Sequence, residues 1–196
     1  MTEVQFWSED SRFGVRLNGK IVPDLLRYCE VSAPQETGGI LLGRYSAAHD
    51  CALVQIVTGA PADSKTGRTW FQRGIRGLQA KLDLLWRRNE GYYLGEWHFH
   101  PFGAPIPSST DIKQLRKISG SRLYRCPEPL LIILGGDPAA SWSLRCFLFL
   151  RGRKEPTHLP YLQDQTSRTA PDRSGLPPAY QPTDCATYLI EESLKL

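Results

Sequence analysis

The sequence predicts a mixed α/β (α+β) domain, a β-sheet flanked by helices. Three observations predict it. Apolar segments of strand length alternate with segments of helical period up to about residue 151. Glycine, proline and Asn-Gly turn signals separate those segments. The composition, 41% hydrophobic and 22% charged, is that of a packed chain and excludes wholesale disorder. At 196 residues the chain is long enough to bury a core without staples.

The elements follow in order. Arg12 to Leu17 and Lys20 to Val22 flank Asn18-Gly19, which predicts a β-hairpin. Pro23 then opens a helix with Leu25, Leu26 and Cys29 on one face. Gly39 to Tyr45 and Cys51 to Thr58 read as strands, followed by a polar loop over residues 59–70. Ile75, Leu78, Leu82, Leu85 and Trp86 recur at helical spacing, giving a second helix that ends near Gly91. Next come a strand from Tyr93 to His100, a proline-rich loop and a helix from about Thr110 to Ile118. Strands over Leu130 to Leu134 and Trp142 to Leu150 complete the series. From Gly152 onward the chain carries six of its fifteen prolines and few apolar clusters. The division expected is therefore a domain over residues 1–151 and a Pro-rich C-terminal extension over 152–196. The last residues, TYLIEESLKL, have the period of a short helix with Ile190 and Leu194 on one face.

Several classes are excluded. The longest apolar runs, Leu130 to Leu134 and Cys146 to Leu150, are five residues, far short of the roughly 20 that span a bilayer. No membrane association is expected. The start, MTEVQFWSED, lacks the basic and apolar regions of a signal peptide, so a cytoplasmic location is expected. Five cysteines with no CxxC spacing make neither a disulfide framework nor a thiolate metal site. Cys126 has no neighbouring His and is not read as a nucleophile. The charge of +4 is mild. The basic groups Arg87-Arg88, Arg116-Lys117 and Arg151-Gly152-Arg153-Lys154 are not interleaved with aromatics, so they read as solvated faces and no nucleic-acid partner is expected.

The chemistry concentrates in Trp97-His98-Phe99-His100-Pro101 and Ser108-Ser109-Thr110-Asp111. Two of the four histidines stand two residues apart on a predicted strand, so His98 and His100 point to the same face. Pro101 ends the strand. The loop that follows turns into a helix capped by Ser109 or Thr110, and Asp111 in its first turn reaches back to the histidines. Two imidazoles and one carboxylate leave the fourth tetrahedral position of a zinc ion to water, the catalytic form of such a site. That water needs a base. Glu36 is one candidate, entering the glycine-rich strand Thr37-Gly38-Gly39-Ile40-Leu41-Leu42-Gly43, whose glycines permit close backbone approach. Glu96 is the other, on the same strand face as His98 and His100. The Ser108 hydroxyl is placed to stabilise an oxyanion. His49 and His158 read as surface residues.

Glu36, followed by His98-x-His100-Pro101-x6-Ser108-x2-Asp111, resembles the JAMM motif of the MPN+/JAB family, over roughly residues 30–135. The resemblance implies a cytidine-deaminase-like mixed sheet flanked by helices. It implies one Zn2+ per chain held by His98, His100 and Asp111, with Glu36 as general acid/base and Ser108 supporting the oxyanion. It implies hydrolysis of isopeptide or peptide bonds after ubiquitin-like modifiers, either on conjugates or on precursors. Gly95-Glu96-Trp97 before the first His is most similar to bacterial JAB proteins, several of them encoded beside ubiquitin-like, E1-like and E2-like proteins in antiphage operons. In the family an insertion matching the polar loop helps hold the modifier's tail, which here points to Arg68, Thr69, Trp70 and Phe71. An extended tail there can add as a strand. Three other readings stand beside this one. A non-catalytic MPN scaffold typically lacks the ligands that this chain retains. A RadC-like DNA-associated protein would carry a helix-hairpin-helix module, for which the roughly 30 residues before Glu36 are too few. An ordinary zinc endopeptidase would use the same site with no modifier involved.

Overall fold

The structure, a computed structural model, describes residues 3–88, 91–122 and 124–162. The strands are β1 (Val4–Trp7), β2 (Gly14–Leu17), β3 (Thr37–Tyr45), β4 (Cys51–Val57), β5 (Lys65–Thr66), β6 (Phe71–Gln72), β7 (Tyr92–Pro101), β8 (Leu130–Gly136), β9 (Trp142–Leu148) and β10 (Thr157–Leu159). The helices are α1 (Ile21–Ser32), α2 (Leu78–Arg87) and α3 (Ser109–Gly120). Eight strands form one mixed sheet in the order β1-β2-β4-β3-β7-β8-β9-β10, and β5 and β6 form a separate hairpin. Pairing is parallel between β2 and β4 and between β7 and β8, and antiparallel elsewhere. This is the mixed sheet between helices that the sequence predicts.

Each face of the sheet has its own core. On one, Ile21, Leu25 and Cys29 of α1 pack with Leu41, Val54, Trp97, Phe99 and Ile132. On the other, Leu78, Leu82 and Leu85 of α2 and Leu115 and Ile118 of α3 pack with Ile40, Leu42, Leu131 and Ile133. The central strands β3, β7 and β8 feed both faces, which is why they are buried along nearly their whole length. Trp97 fixes the centre: its indole N–H donates to the Thr58 carbonyl at 2.8 Å and its ring stacks on Tyr28.

The hairpin expected at Asn18-Gly19 does not form. Lys20 to Val22 is no strand, because the turn leads straight into α1, with the Ile21 N–H bonded to the Asn18 carbonyl at 2.8 Å. Two facts decide this. Ile21, Leu25 and Cys29 form a stripe at helical spacing that buries only as a helix. Both edges of β2 are taken, by β1 on one side and β4 on the other. Pro23 is the third residue of α1, within the first turn, where its missing N–H costs nothing. Strand β1 is unforeseen by the sequence pattern, and the stretch expected as loop over residues 59–70 carries β5, which pairs with β6 just beyond it.

Two departures from strict pairing shape the site. Between β3 and β7 the register shifts, so that Leu41 pairs Gly95 and Leu42 pairs Tyr93, leaving Leu94 as an extra residue. The bulge turns Tyr93 to the face that carries Glu96 and His98, which simple alternation denies it. The segment from residue 152 also contributes to the sheet. Its Thr157–Leu159 forms β10 against β9, and Tyr161 bridges Phe6. The expected helix over TYLIEESLKL, Cys185 and the rest of the extension beyond residue 162 lie outside the described residues. Among the described residues no helix is long and apolar enough to cross a membrane.

Candidate metal centre

The end of β7 and the start of α3 bring His98, His100 and Asp111 together. Their potential ligand atoms all lie within 4.8 Å of one another. His98 Nδ1 is 2.7 Å from Asp111 Oδ1, and His100 Nε2 is 4.0 Å from Asp111 Oδ2. Strand alternation supplies the two imidazoles. A capping box supplies the carboxylate: Ser108, in extended conformation, accepts from the Asp111 N–H at 3.2 Å, and the Ser108 N–H donates to Asp111 Oδ2 at 2.7 Å. The cap of α3 is therefore Ser108, not Ser109 or Thr110. The S-x-x-D spacing lets Ser108 and Asp111 satisfy each other's backbone groups, which neither neighbour can do.

Each histidine is held from behind. His100 Nδ1 lies 3.3 Å from the Ala104 carbonyl, which leaves Nε2 facing Asp111. His98 is enclosed. Phe71 meets its ring edge-on at 5.8 Å between centroids. Gly38 lies against it so closely that a Cβ there would stand 2.9 Å from His98 Cδ2 and 2.5 Å from the Trp97 carbonyl. A side chain at position 38 would push the ring out of place, which gives that glycine its physical reason. The donor set, two imidazoles and a carboxylate converging on one point, fits a divalent metal ion.

The electrostatics follow from burial and pairing. Burial works against a charged His98, but the hydrogen bond to Asp111 and the nearby Glu96 carboxylate hold it up to about 9. Burial likewise opposes a charged Asp111, yet the His98 and Ser108 hydrogen bonds bring it down to about 2. His98 and Asp111 thus hold one proton between them, which a metal ion bound there would have to displace.

Glu36 stands half-buried just ahead of β3. The register pairs Thr37 with Phe99 and Gly38 with His98. Burial raises its carboxyl above the ordinary range, against the pull of His100 and His98 and with the push of Asp111. These three are its charged neighbours, so Glu36 borders the metal centre. Its own backbone is fixed by the β5–β6 hairpin: its N–H donates to the Gly67 carbonyl at 2.8 Å, and its carbonyl accepts from the Thr66 hydroxyl.

Glu96 occupies a different place. It is fully buried and takes hydrogen bonds from Arg73, Gln114 and Tyr93. Burial alone would raise its pKa, but the Arg73 guanidinium brings it down to about 2. A carboxylate already committed to three donors and closed off from solvent is poorly placed to shuttle protons.

The loop residues divide. Phe71 reaches His98, whereas Arg68 and Thr69 lie exposed in the hairpin turn, and Trp70, 51% exposed, covers Gly67. Arg73 and Gln114 escaped the sequence reading. Gln114 had a signal, three residues beyond Asp111 on the same helical face. Arg73 follows Phe71 by two residues and so points the same way, but nothing local marks its partner. Arg116, Lys117 and Arg153 gather with Lys113 around a cleft of about 380 Å³ at the other end of α3.

A profile described as prokaryotic homologs of the JAB domain matches residues 20–146. The chain is 43% identical over 150 residues to a "CD-NTase/cGAS isopeptidase" from Enterobacter hormaechei subsp. hoffmannii, covering 76% of this chain and 83% of that protein. It is 29% identical over 139 residues to a protein of the same description from Vibrio cholerae, covering 69% and 85%. It is 32% identical over 106 residues to "Probable metalloprotease y4qB" of Sinorhizobium fredii, covering 53% and 64%. Among solved structures, that of protein DSY2949 from Desulfitobacterium hafniense superimposes with a TM-score of 0.51 at 20% identity, over 75% of this chain and 88% of that one. That last likeness is one of fold.

Proposed function

The chain belongs to the family of prokaryotic JAB-domain homologs, and from that premise we propose that it is a zinc-dependent isopeptidase. Its substrates are ubiquitin-like modifiers joined to other proteins, or modifier precursors, in a bacterial conjugation pathway serving antiphage defence. The descriptions of its relatives support a CD-NTase among the conjugated proteins. One observation carries the reading: a cluster of two imidazoles and a carboxylate bordered by a half-buried carboxyl whose pKa is raised.

His98, His100 and Asp111 would hold one Zn2+, which when bound would supply Lewis acidity toward the scissile carbonyl and acidify an attacking water. Glu36 takes a proton from the attacking water as its oxygen bonds to the carbonyl carbon. The C–N bond then breaks, and Glu36 returns the proton to the departing lysine amine. Burial raises the Glu36 carboxyl above an ordinary glutamate, which favours its giving the proton back to the leaving amine. Ser108 Oγ accepts from the helix, so its own proton is available to the developing oxyanion. The hairpin, with Arg68, Thr69 and Trp70 exposed at its turn and Phe71 against His98, receives the modifier's tail as an added strand.

The test is cleavage. Wild-type protein with zinc is expected to release a ubiquitin-like modifier from an isopeptide-linked conjugate and to leave unfolded casein intact. Glu36→Gln is expected to bind zinc yet lose turnover by at least a hundredfold. Casein digestion at a comparable rate contradicts the modifier reading, and full activity of Glu36→Gln contradicts the assigned base.

A further inference from the structure

Beneath the metal centre lies a second polar cluster that the proposed chemistry leaves unused. Its centre is Glu96, whose side chain is 0% exposed. Arg73, 5% exposed, donates from Nη2 to Glu96 Oε1 at 2.9 Å, and the Tyr93 hydroxyl reaches the same oxygen at 3.3 Å. Gln114 Nε2 donates to the other oxygen, Oε2, at 2.9 Å. That same Oε2 faces His98 Nε2 at 3.6 Å, while His98 Nδ1 meets Asp111. His98 therefore has a carboxylate at each nitrogen, one from the metal centre and one from the cluster below.

We propose that Glu96 is a positioning residue for His98, held in place by Arg73 and Gln114, so that the cluster sets the orientation and metal affinity of the first histidine. Three observations carry this beyond a structural ion pair. Arg73 occupies only one carboxylate oxygen and leaves the other aimed at His98. The guanidinium is seated at a cost, because its buried Nε finds no hydrogen-bond partner among the described residues, and a pair kept for stability alone is readily replaced by apolar residues. The donors come from three separate places, β7 itself through its bulge, the segment after β6, and α3, yet all converge under this one ring. A carboxylate behind a ligating imidazole fixes its ring orientation and strengthens it as a ligand. Arg73 also follows the hairpin that carries Phe71, so the same contact anchors that hairpin beside His98.

The inference rests on the metal reading of His98, His100 and Asp111. Zinc dissociation constants would be measured by chelator competition, beside unfolding of the metal-free proteins, for wild type, Glu96→Gln, Arg73→Lys, Arg73→Gln/Glu96→Gln and Gln114→Leu. Glu96→Gln and the double variant should bind zinc about 10–100-fold more weakly. Arg73→Lys, which keeps the charge, should restore near wild-type binding, and Gln114→Leu should lose less in the same direction while its metal-free unfolding stays close to wild type. A folded Glu96→Gln or double variant with wild-type zinc affinity overturns the role. If neither folds, wild-type affinity in Gln114→Leu overturns it. Wild-type protein that binds no zinc overturns the metal reading itself.

Discussion

The two walls of the candidate metal centre are built on different principles. The wall formed by His100, the loop to Ser108 and Asp111 is assembled within a dozen residues. His100 leans on Ala104, and Ser108 and Asp111 cap each other. The wall beneath His98 is assembled over long separations. Glu96 meets Arg73 across 23 residues and Gln114 across 18. Of the two histidines, His100 in the first wall is the more exposed, at 16% against 8% for His98. Local motifs can carry ligands at a surface, where water satisfies what they leave open. Asp111, as buried as His98, finds its partners in its own helix cap, whereas the carboxylate beneath His98 needs partners that the fold gathers from afar.

The sharpest way to break this contrast is to remove one partner from the deep wall. Arg73→Met leaves the Glu96 carboxylate buried without its cation and should cost roughly 3–5 kcal/mol of folding free energy. Denaturant unfolding checks this. The double variant Arg73→Met/Glu96→Leu should recover much of the loss, because two apolar side chains leave no charge unpaired.

Next in size is the response of the metal-free protein to pH. His98 is lifted from an ordinary 6.5 to about 9 in the folded chain. Its contribution is complete below the unfolded value and disappears as pH rises through about 9, on the order of 3 kcal/mol at most. Thermal unfolding of the apo protein should therefore weaken from about pH 6.5 to 9. Asp111 is lowered to about 2, so its contribution is present above the ordinary carboxylate range and lost only toward that pH. An apo protein equally stable at pH 6.5 and 9 would contradict the pairing of His98 with Asp111.

The local wall should yield less in stability. Ser108→Ala removes the cap and should cost about 1 kcal/mol, while Ser108→Asn keeps a capping oxygen and should recover it. If the hydroxyl serves the oxyanion, both variants lose turnover by about a hundredfold or more. A turnover that tracks the cap alone would reduce Ser108 to a structural residue. Smallest of all is Trp70→Ala. At 51% exposure it should change folding by about 0.5 kcal/mol or less and raise KM for a conjugate if the hairpin receives the tail.

The same division explains what the sequence disclosed. That His98, His100, Asp111, Glu36 and Ser108 would gather at one place was legible because strand alternation, helix capping and a glycine-rich strand entry are short-range patterns. The helices and inner strands were legible because their apolar residues keep a clean period. Asn18-Gly19 misled because its turn preference fits a helix entry as well as a hairpin, and only the filled edges of β2 decide between them. Glu96 was visible as a carboxylate on the histidine face, but its role depends on Arg73, which arrives from a stretch with no periodicity. Tyr93 was hidden by the bulge at Leu94, which reverses the face that alternation assigns.

The account stands first on the metal. Elemental analysis of the purified wild-type protein and of His98→Ala tests it most directly. One zinc per chain in the wild type, lost in the variant, is the expected result. A wild-type protein free of zinc after purification in its presence without chelators would contradict the centre and the chemistry built on it.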